Sequence, residues 1–230
     1  MLKDIPFFAR LAGGWPERLF LKVLSSLQFR VLGQHKDPQT VALLRRVRSE
    51  RRSLLSALEC FIVHSLAKAH AGRPGDLAEV GCYQGCSAKL ICETKGEKPL
   101  HLFDTFEGLP KSAPQDRGVH DEKQYACSLD SVQGYLRDYP NVYFYKGLFP
   151  DTAGPVADRT FPFVHCDVDL YESTLACLKF FYPQLSRGGV LLSHDYSVLA
   201  GVKAAFSEFL ADKPEHVIEL PTTQCMIIKL

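Results

Sequence analysis

A chain of 230 residues with 46% hydrophobic side chains, 23% charged side chains and a mean hydropathy of −0.06 has an ordinary globular composition, which excludes a disordered chain and a polytopic membrane protein. The length suits one α/β core with a decorating segment. The formal net charge of +1 conceals an asymmetry: residues 1–75 carry 13 Lys/Arg against 5 Asp/Glu and the remainder 14 against 21, so a leader of +8 precedes a body of −7.

Such a leader suits nucleic acid, an acidic lipid surface or the acidic half of a sister subunit, and most plainly a solvated helix face. The expectation is a homodimer with no nucleic-acid partner. Trp15-Pro16 opens the first helix, since proline is tolerated at the first helical position. Leu19, Phe20, Val23, Leu24, Leu27 and Val31 then recur at helical spacing until Gly33 and make one face apolar. A second helix is expected from about Thr40 to His70, with Leu44, Val47, Leu54, Leu58, Phe61, Ile62 and Leu66 on one side. Arg45, Arg46, Arg48, Arg51 and Arg52 surround its first half, and Ala71-Gly72-Arg73-Pro74-Gly75 ends it. Residues 1–75 thus form an N-terminal helical segment expected to supply a lid or oligomer contacts, and residues 76–230 a sheet domain.

From Asp76 onward short apolar runs alternate with helical segments, the pattern of a parallel sheet with crossover helices. Strands are expected at 77–80, 100–103, 142–145, 163–166, 190–193, 216–219 and 225–228, and helices at 87–94, 129–139, 172–185 and 201–211. Seven strands fit an α/β doubly wound, Rossmann-like sheet. Only the last two are close enough in sequence to pair as an antiparallel hairpin. Residues 110–127, rich in Pro, Gly, Asp, Gln and Lys, exceed the usual loop length and point to a lid or substrate loop. No stretch approaches 18 apolar residues, so no transmembrane segment is expected. No secretory pattern opens the chain, and Cys82, Cys86 and Cys92 contain no C-x-x-C pair. Reduced thiols in a cytoplasm are the expectation, without structural zinc.

The run Leu77-Ala78-Glu79-Val80-Gly81-Cys82-Tyr83-Gln84-Gly85-Cys86-Ser87 is a strand ending in a glycine turn that enters a helix. Gly81 and Gly85 let the backbone bend and approach a ligand closely, and their spacing is not the G-x-G-x-x-G that seats a pyrophosphate. The second strand ends at Asp104, where the ribose hydroxyls of an adenosine cofactor can donate to a carboxylate; a turn cap is the alternative. Asp167, Asp169, His194 and Asp195 follow the fourth and fifth strands and should converge at the ligand crevice. Convergent carboxylates repel one another unless a cation lies between them, although one of Asp167 and Asp169 is also a candidate helix cap.

Glu79 to Ser87, Phe103-Asp104-Thr105-Phe106-Glu107-Gly108-Leu109-Pro110, Gly147-Leu148-Phe149-Pro150-Asp151-Thr152, Asp167 to Thr174 and Asp195-Tyr196 together resemble the macrocin O-methyltransferase family. The resemblance covers about Pro74 to Ala211. It implies a class I S-adenosylmethionine-dependent methyltransferase acting on a hydroxyl of a small molecule, a sugar or phenolic natural product, with Mg²⁺. By the same resemblance Glu79, Gly81 and Gly85, with Ser87 beside them, wrap the methionine part of S-adenosylmethionine. Asp104 and Thr105 hold the ribose, Gly147 and Phe149 flank the adenine, and Asp167 also meets the cofactor. Asp167 and Asp195 hold the metal, with Asp169 next to them. Where the family has two adjacent aspartates this chain has His194-Asp195, so His194 stands as a third ligand, as a general base that replaces the metal, or as a sign that the metal is lost, and Asp167, Asp169 and His194 are the expected catalytic residues. A nitrogen donor would tilt the cation from Mg²⁺ toward Mn²⁺. Two rival readings are an NAD-type oxidoreductase, disfavoured by the glycine spacing, and a catalytically silent ligand-binding relative.

Overall fold

The computed structural model describes residues 15–230, so the first fourteen residues of the basic leader lie outside the described residues. Helices α1 (Trp15–His35), α2 (Pro38–Glu50) and α3 (Ala57–His70) precede the sheet. Asp37 caps α2 by accepting the Thr40 N–H at 2.8 Å. The single helix expected over 40–70 is broken at 51–56. Arg51 turns extended at the end of α2, and a capping box starts α3: the Ser56 hydroxyl accepts the Glu59 N–H, and Glu59 Oε2 accepts the Ser56 N–H at 2.7 Å.

Seven strands follow: β1 (Leu77–Val80), β2 (Leu100–Asp104), β3 (Val142–Lys146), β4 (Phe161–Cys166), β5 (Leu185–Ser193), β6 (Ile218–Glu219) and β7 (Cys225–Ile228). Between them run α4 (Cys86–Lys95), α5 (Leu129–Leu136), α6 (Tyr171–Phe181) and α7 (Ala200–Phe209). The sheet order is β3-β2-β1-β4-β5-β7-β6. Pairings are parallel except those of β7, which runs antiparallel to β5 and β6. The expected doubly wound sheet with its terminal hairpin is present. Helix α6 stops at Phe181 rather than 185, because Pro183 in the following turn has no N–H to continue the helical ladder; β5 therefore starts at Leu185, five residues early.

Period-two alternation sends Leu77, Leu100, Leu102, Phe163, Val190 and Leu192 to one face, where they pack with Phe29, Leu32, Leu44, Val47, Val63, Leu90 and Ile91. Ala78, Val80, Phe103, Val164 and Leu191 take the other face, against Leu178 and Phe181 of α6 and Val202 and Phe206 of α7. The helices before β1 thus share a core with the sheet. Two arginines reinforce that join: Arg46 of α2 pairs with Glu93 of α4, and Arg51, just after α2, donates to Ser131 Oγ and O of α5 at 2.9 Å each and lies 4.4 Å over the Tyr135 ring. Part of the leader's positive charge therefore acts within the chain.

Helix α1 has three faces. Ser25, Phe29 and Leu32 are buried, and Gln28 Oε1 accepts the Leu58 N–H of α3 at 3.2 Å. Leu21 and Leu24 look over the cavity described below. Leu19, Phe20, Val23, Leu27 and Val31, 53–64% exposed, form an apolar stripe on the outside. Among the described residues no helix is long and apolar enough to cross a membrane.

Candidate active site

The sheet order reverses between β1 and β4, and ligand crevices of doubly wound sheets open at the carboxyl ends of the strands flanking that point. Here the backbone comes close to itself. The Gly81 N–H donates to Phe103 O at 2.8 Å, and the Asp167 N–H donates to Val80 O at 2.9 Å, so the exits of β1, β2 and β4 are tied together. Gly81 has φ +86°, and a Cβ there would stand 1.9 Å from the Asp167 carbonyl oxygen. Only glycine fits that crossing.

A cavity of about 750 Å³ opens over these strand ends, within the range of small-molecule sites. Gly81, Asp104, Thr105, Gly147, Phe149, Asp167, Asp169, His194 and Asp195 line it. Glu79, Gly85 and Ser87 do not. Glu79 shares the parity of Leu77, is fully buried, and meets His165 Nδ1 with its Oε1 at 2.7 Å. Gly85 is the left-handed N-cap of α4, and Ser87 is buried in that helix's first turn.

Asp104 shapes the glycine turn. Its Oδ2 accepts the Cys82 and Tyr83 N–H groups at 2.8 and 3.0 Å, and its Oδ1 accepts the Phe106 N–H at 2.7 Å. Burial raises its pKa, and these three backbone donors oppose the rise. The turn-capping role is therefore real, and the same carboxylate borders the cavity. Phe149 stacks on Phe181 and meets Phe103 edge-on, each at 5.3 Å, giving the cavity a rigid aromatic wall.

The acidic cluster lines the same cavity. The His194 N–H donates to Cys166 O at 2.9 Å, which places the ring beside Asp167. His194 Nδ1 is 3.4 Å from Asp167 Oδ1 and 3.3 Å from Asp195 Oδ2, and Nε2 is 3.4 Å from Glu59 Oε2. Burial alone would lower the pKa of His194, but the surrounding charges of Asp167, Asp195 and Glu59 hold it well above the usual value. Burial raises the pKa of Asp167. Asp167, His194 and Asp195 each offer a ligand atom, all within 4.8 Å of one another. One imidazole nitrogen and two carboxylate oxygens suit a divalent cation, so the donor set fits the metal that the resemblance implies.

Asp169 is turned elsewhere, with its Oδ1 3.9 Å from His120 Nε2. Neither Asp167 nor Asp169 caps α6. Its N-cap residue is Leu170, and the Tyr171 N–H donates instead to Asp116 Oδ1 at 2.7 Å. The irregular 110–127 segment is pinned at its base by the Leu109 N–H to Gln124 O bond, 2.9 Å, and brings Pro110, Gln124 and Tyr125 to the cavity. Tyr125 packs edge-on against Tyr83 at 5.8 Å and His120 at 5.7 Å. Sequence reasoning missed Glu59, Tyr83, Tyr125 and Thr223. Of these only Glu59 carried a local signal, the Ser56-x-x-Glu59 capping box.

A family model described as macrocin-O-methyltransferase (TylF) matches residues 59–225. The chain is 30% identical to the demethyldecarbamoylnovobiocin O-methyltransferase of Streptomyces niveus, over 60% of this chain and 59% of that protein. It is 29% identical to the 8-demethyl-8-(2,3-dimethoxy-alpha-L-rhamnosyl)-tetracenomycin-C 4'-O-methyltransferase of Streptomyces olivaceus, over 55% of each. The chain thus spans less than two thirds of the length of these relatives. Among solved structures the O-methyltransferase NovP superposes with a TM-score of 0.71 at 22% identity, over 93% of this chain and 99% of that one, a likeness of fold.

Proposed function

Because the chain belongs to the macrocin O-methyltransferase (TylF) family, we propose that it transfers a methyl group from S-adenosylmethionine to a hydroxyl of a small sugar-bearing or phenolic molecule. The observation that carries this reading is one cavity that joins the glycine turn, Asp104 and Phe149 to the cluster of Asp167, His194 and Asp195. When bound, S-adenosylmethionine supplies a methyl group on a sulfonium, open to in-line displacement by the acceptor oxygen. Gly81 admits the ligand to the backbone, Asp104 and Thr105 hold the ribose hydroxyls, and Gly147 and Phe149 bound the adenine. Asp167, made more basic by burial, takes the proton from the acceptor hydroxyl, with His194 and Asp195 holding it in place. Asp169, which also lines the cavity, orients the acceptor. A cation such as Mg²⁺ or Mn²⁺, held by Asp167, His194 and Asp195, would lower the pKa of that hydroxyl. Residues 15–75 serve as the lid, through Leu21, Leu24 and Leu54.

The acceptor has an apolar body, which would lie against Leu21, Leu24, Leu54 and Pro221 of the cavity. The test combines calorimetric titration of S-adenosylhomocysteine with labelled methyl transfer to phenols and glycosides. S-adenosylhomocysteine should bind, and Asp104→Asn should weaken it at least about tenfold, since a charge-assisted hydrogen bond contributes about 1.5–3 kcal/mol. Label should reach these acceptors. Binding of NAD in place of S-adenosylhomocysteine would overturn the reading.

Self-association through the outer stripe of α1 belongs to the same proposal, because five large apolar side chains on one helix face favour a covered surface. Light scattering at micromolar concentration should return about twice the 25.8 kDa chain mass, and Leu27→Glu with Val31→Glu should halve it. The free thiols, seven of eight buried, support a reducing, cytoplasmic setting.

A further inference from the structure

The ring of His194 is held from two sides, and one of the holders comes from outside the sheet domain. Glu59 lies in the first turn of α3, with a side chain only 6% exposed. Both of its oxygens are fixed. Oε2 accepts the Ser56 N–H at 2.7 Å, and Oε1 accepts the Thr223 hydroxyl at 2.8 Å and the Thr223 N–H at 3.3 Å. The carboxylate is thus pinned between the helical segment and the β6–β7 turn, with Oε2 3.4 Å from His194 Nε2. The other ring nitrogen, Nδ1, is the one beside Asp167 and Asp195.

We propose that Glu59 is a positioning residue of this centre: it fixes the His194 ring with Nε2 toward itself, so that Nδ1 joins Asp167 and Asp195 in offering one nitrogen and two oxygens to a divalent cation. The inference rests on the reading of the cavity as a methyl-transfer site. A ligating histidine commonly donates its second N–H to a carboxylate, which selects the tautomer, fixes the ring plane and makes the ligating nitrogen a better donor. Glu59 stands at that place, its Oε2 in ion-pair contact 3.4 Å from Nε2 without a formed hydrogen bond, and its own hydrogen bonds keep it from swinging away. A nitrogen donor favours Mn²⁺ and later first-row ions over Mg²⁺, and the preference is set by the residue that aims that nitrogen.

The test is calorimetric titration of the full chain with Mn²⁺ and, separately, Mg²⁺, with pulsed electron paramagnetic resonance on the Mn²⁺ complex. Wild type should bind one Mn²⁺ at least about tenfold more tightly than Mg²⁺ and show coupling to a directly bound nitrogen. His194→Asp should remove that coupling and bring the two affinities together. Glu59→Gln keeps a capping residue at the third helical position, so its melting temperature should match wild type while Mn²⁺ binding weakens about 10- to 100-fold. Should that variant fold poorly, Thr223→Val, which releases Oε1 without touching the helix cap, should weaken Mn²⁺ in the same direction by a smaller factor. Equal Mn²⁺ affinity in folded wild type and Glu59→Gln, missing nitrogen coupling, or no Mn²⁺ binding would overturn the role of Glu59. S-adenosylhomocysteine titrated into the same samples separates the two readings, since its continued binding leaves methyl transfer standing and its loss removes that reading as well.

Discussion

Asp167→Asn should lower methyl-transfer turnover by about 10²- to 10⁴-fold, the range for a positioned acid–base group, and leave S-adenosylhomocysteine binding within a few-fold. The amide keeps the volume of the carboxylate and leaves the Asp167 N–H bond to Val80 O intact, so the strand exit does not move. What disappears is the proton acceptor and an anionic partner 3.4 Å from His194 Nδ1. The melting temperature should hold within a few degrees, because the change removes a carboxylate whose ionisation burial already disfavours. Steady-state kinetics beside a calorimetric titration decides the matter. A folded variant that kept more than about a tenth of wild-type turnover would take Asp167 out of the chemistry, against the general-base range.

Gly81→Ala should be the most damaging change of a single methyl group. The added Cβ would lie 1.9 Å from Asp167 O and 2.7 Å from its carbonyl carbon, and these are backbone atoms of a central strand exit that no rotamer can clear. Non-glycine residues at such positive φ also cost about 1–2 kcal/mol. Together these effects should exceed about 4 kcal/mol, a large part of the stability of a typical domain, and the protein should appear mostly in the insoluble fraction. Gly134 is the internal control. It lies within α5 with nothing within 4 Å of the place an alanine methyl would take, so Gly134→Ala should stabilise by about 0.5–1 kcal/mol in denaturant unfolding. Equal behaviour of the two variants would mean that the β1–β4 crossing is not as tight as its distances indicate.

The sheet was legible because buried parallel strands read as unbroken apolar runs, and because glycine, proline and short polar breaks separate them. The convergence of Asp167, His194 and Asp195 was legible for a topological reason: residues that directly follow neighbouring parallel strands must meet at one end of the sheet. Glu79, which the resemblance assigns to the methionine part of the cofactor, sits two residues after Leu77 and so shares its face, which turns it into the core toward His165. The break at 51–56 escaped because Leu54 and Leu58 keep helical spacing across it, while a local capping box overrides the period. Leu21 and Leu24 of α1 could not be assigned to the cavity from sequence, since only tertiary packing decides which part of a broad apolar face meets the core, a ligand or solvent.

Phe20 belongs to two surfaces at once, as part of the exposed stripe on α1 and of the cavity lining. The self-association proposed for the outside of that helix and occupancy on its inside would therefore be linked thermodynamically through one side chain, and linkage is reciprocal. The factor by which acceptor binding would change self-association equals the factor by which self-association would change acceptor binding, whichever sign the coupling takes. Dilution would then be a variable of the chemistry, and activity per chain would curve with protein concentration where a self-contained monomer gives a straight line.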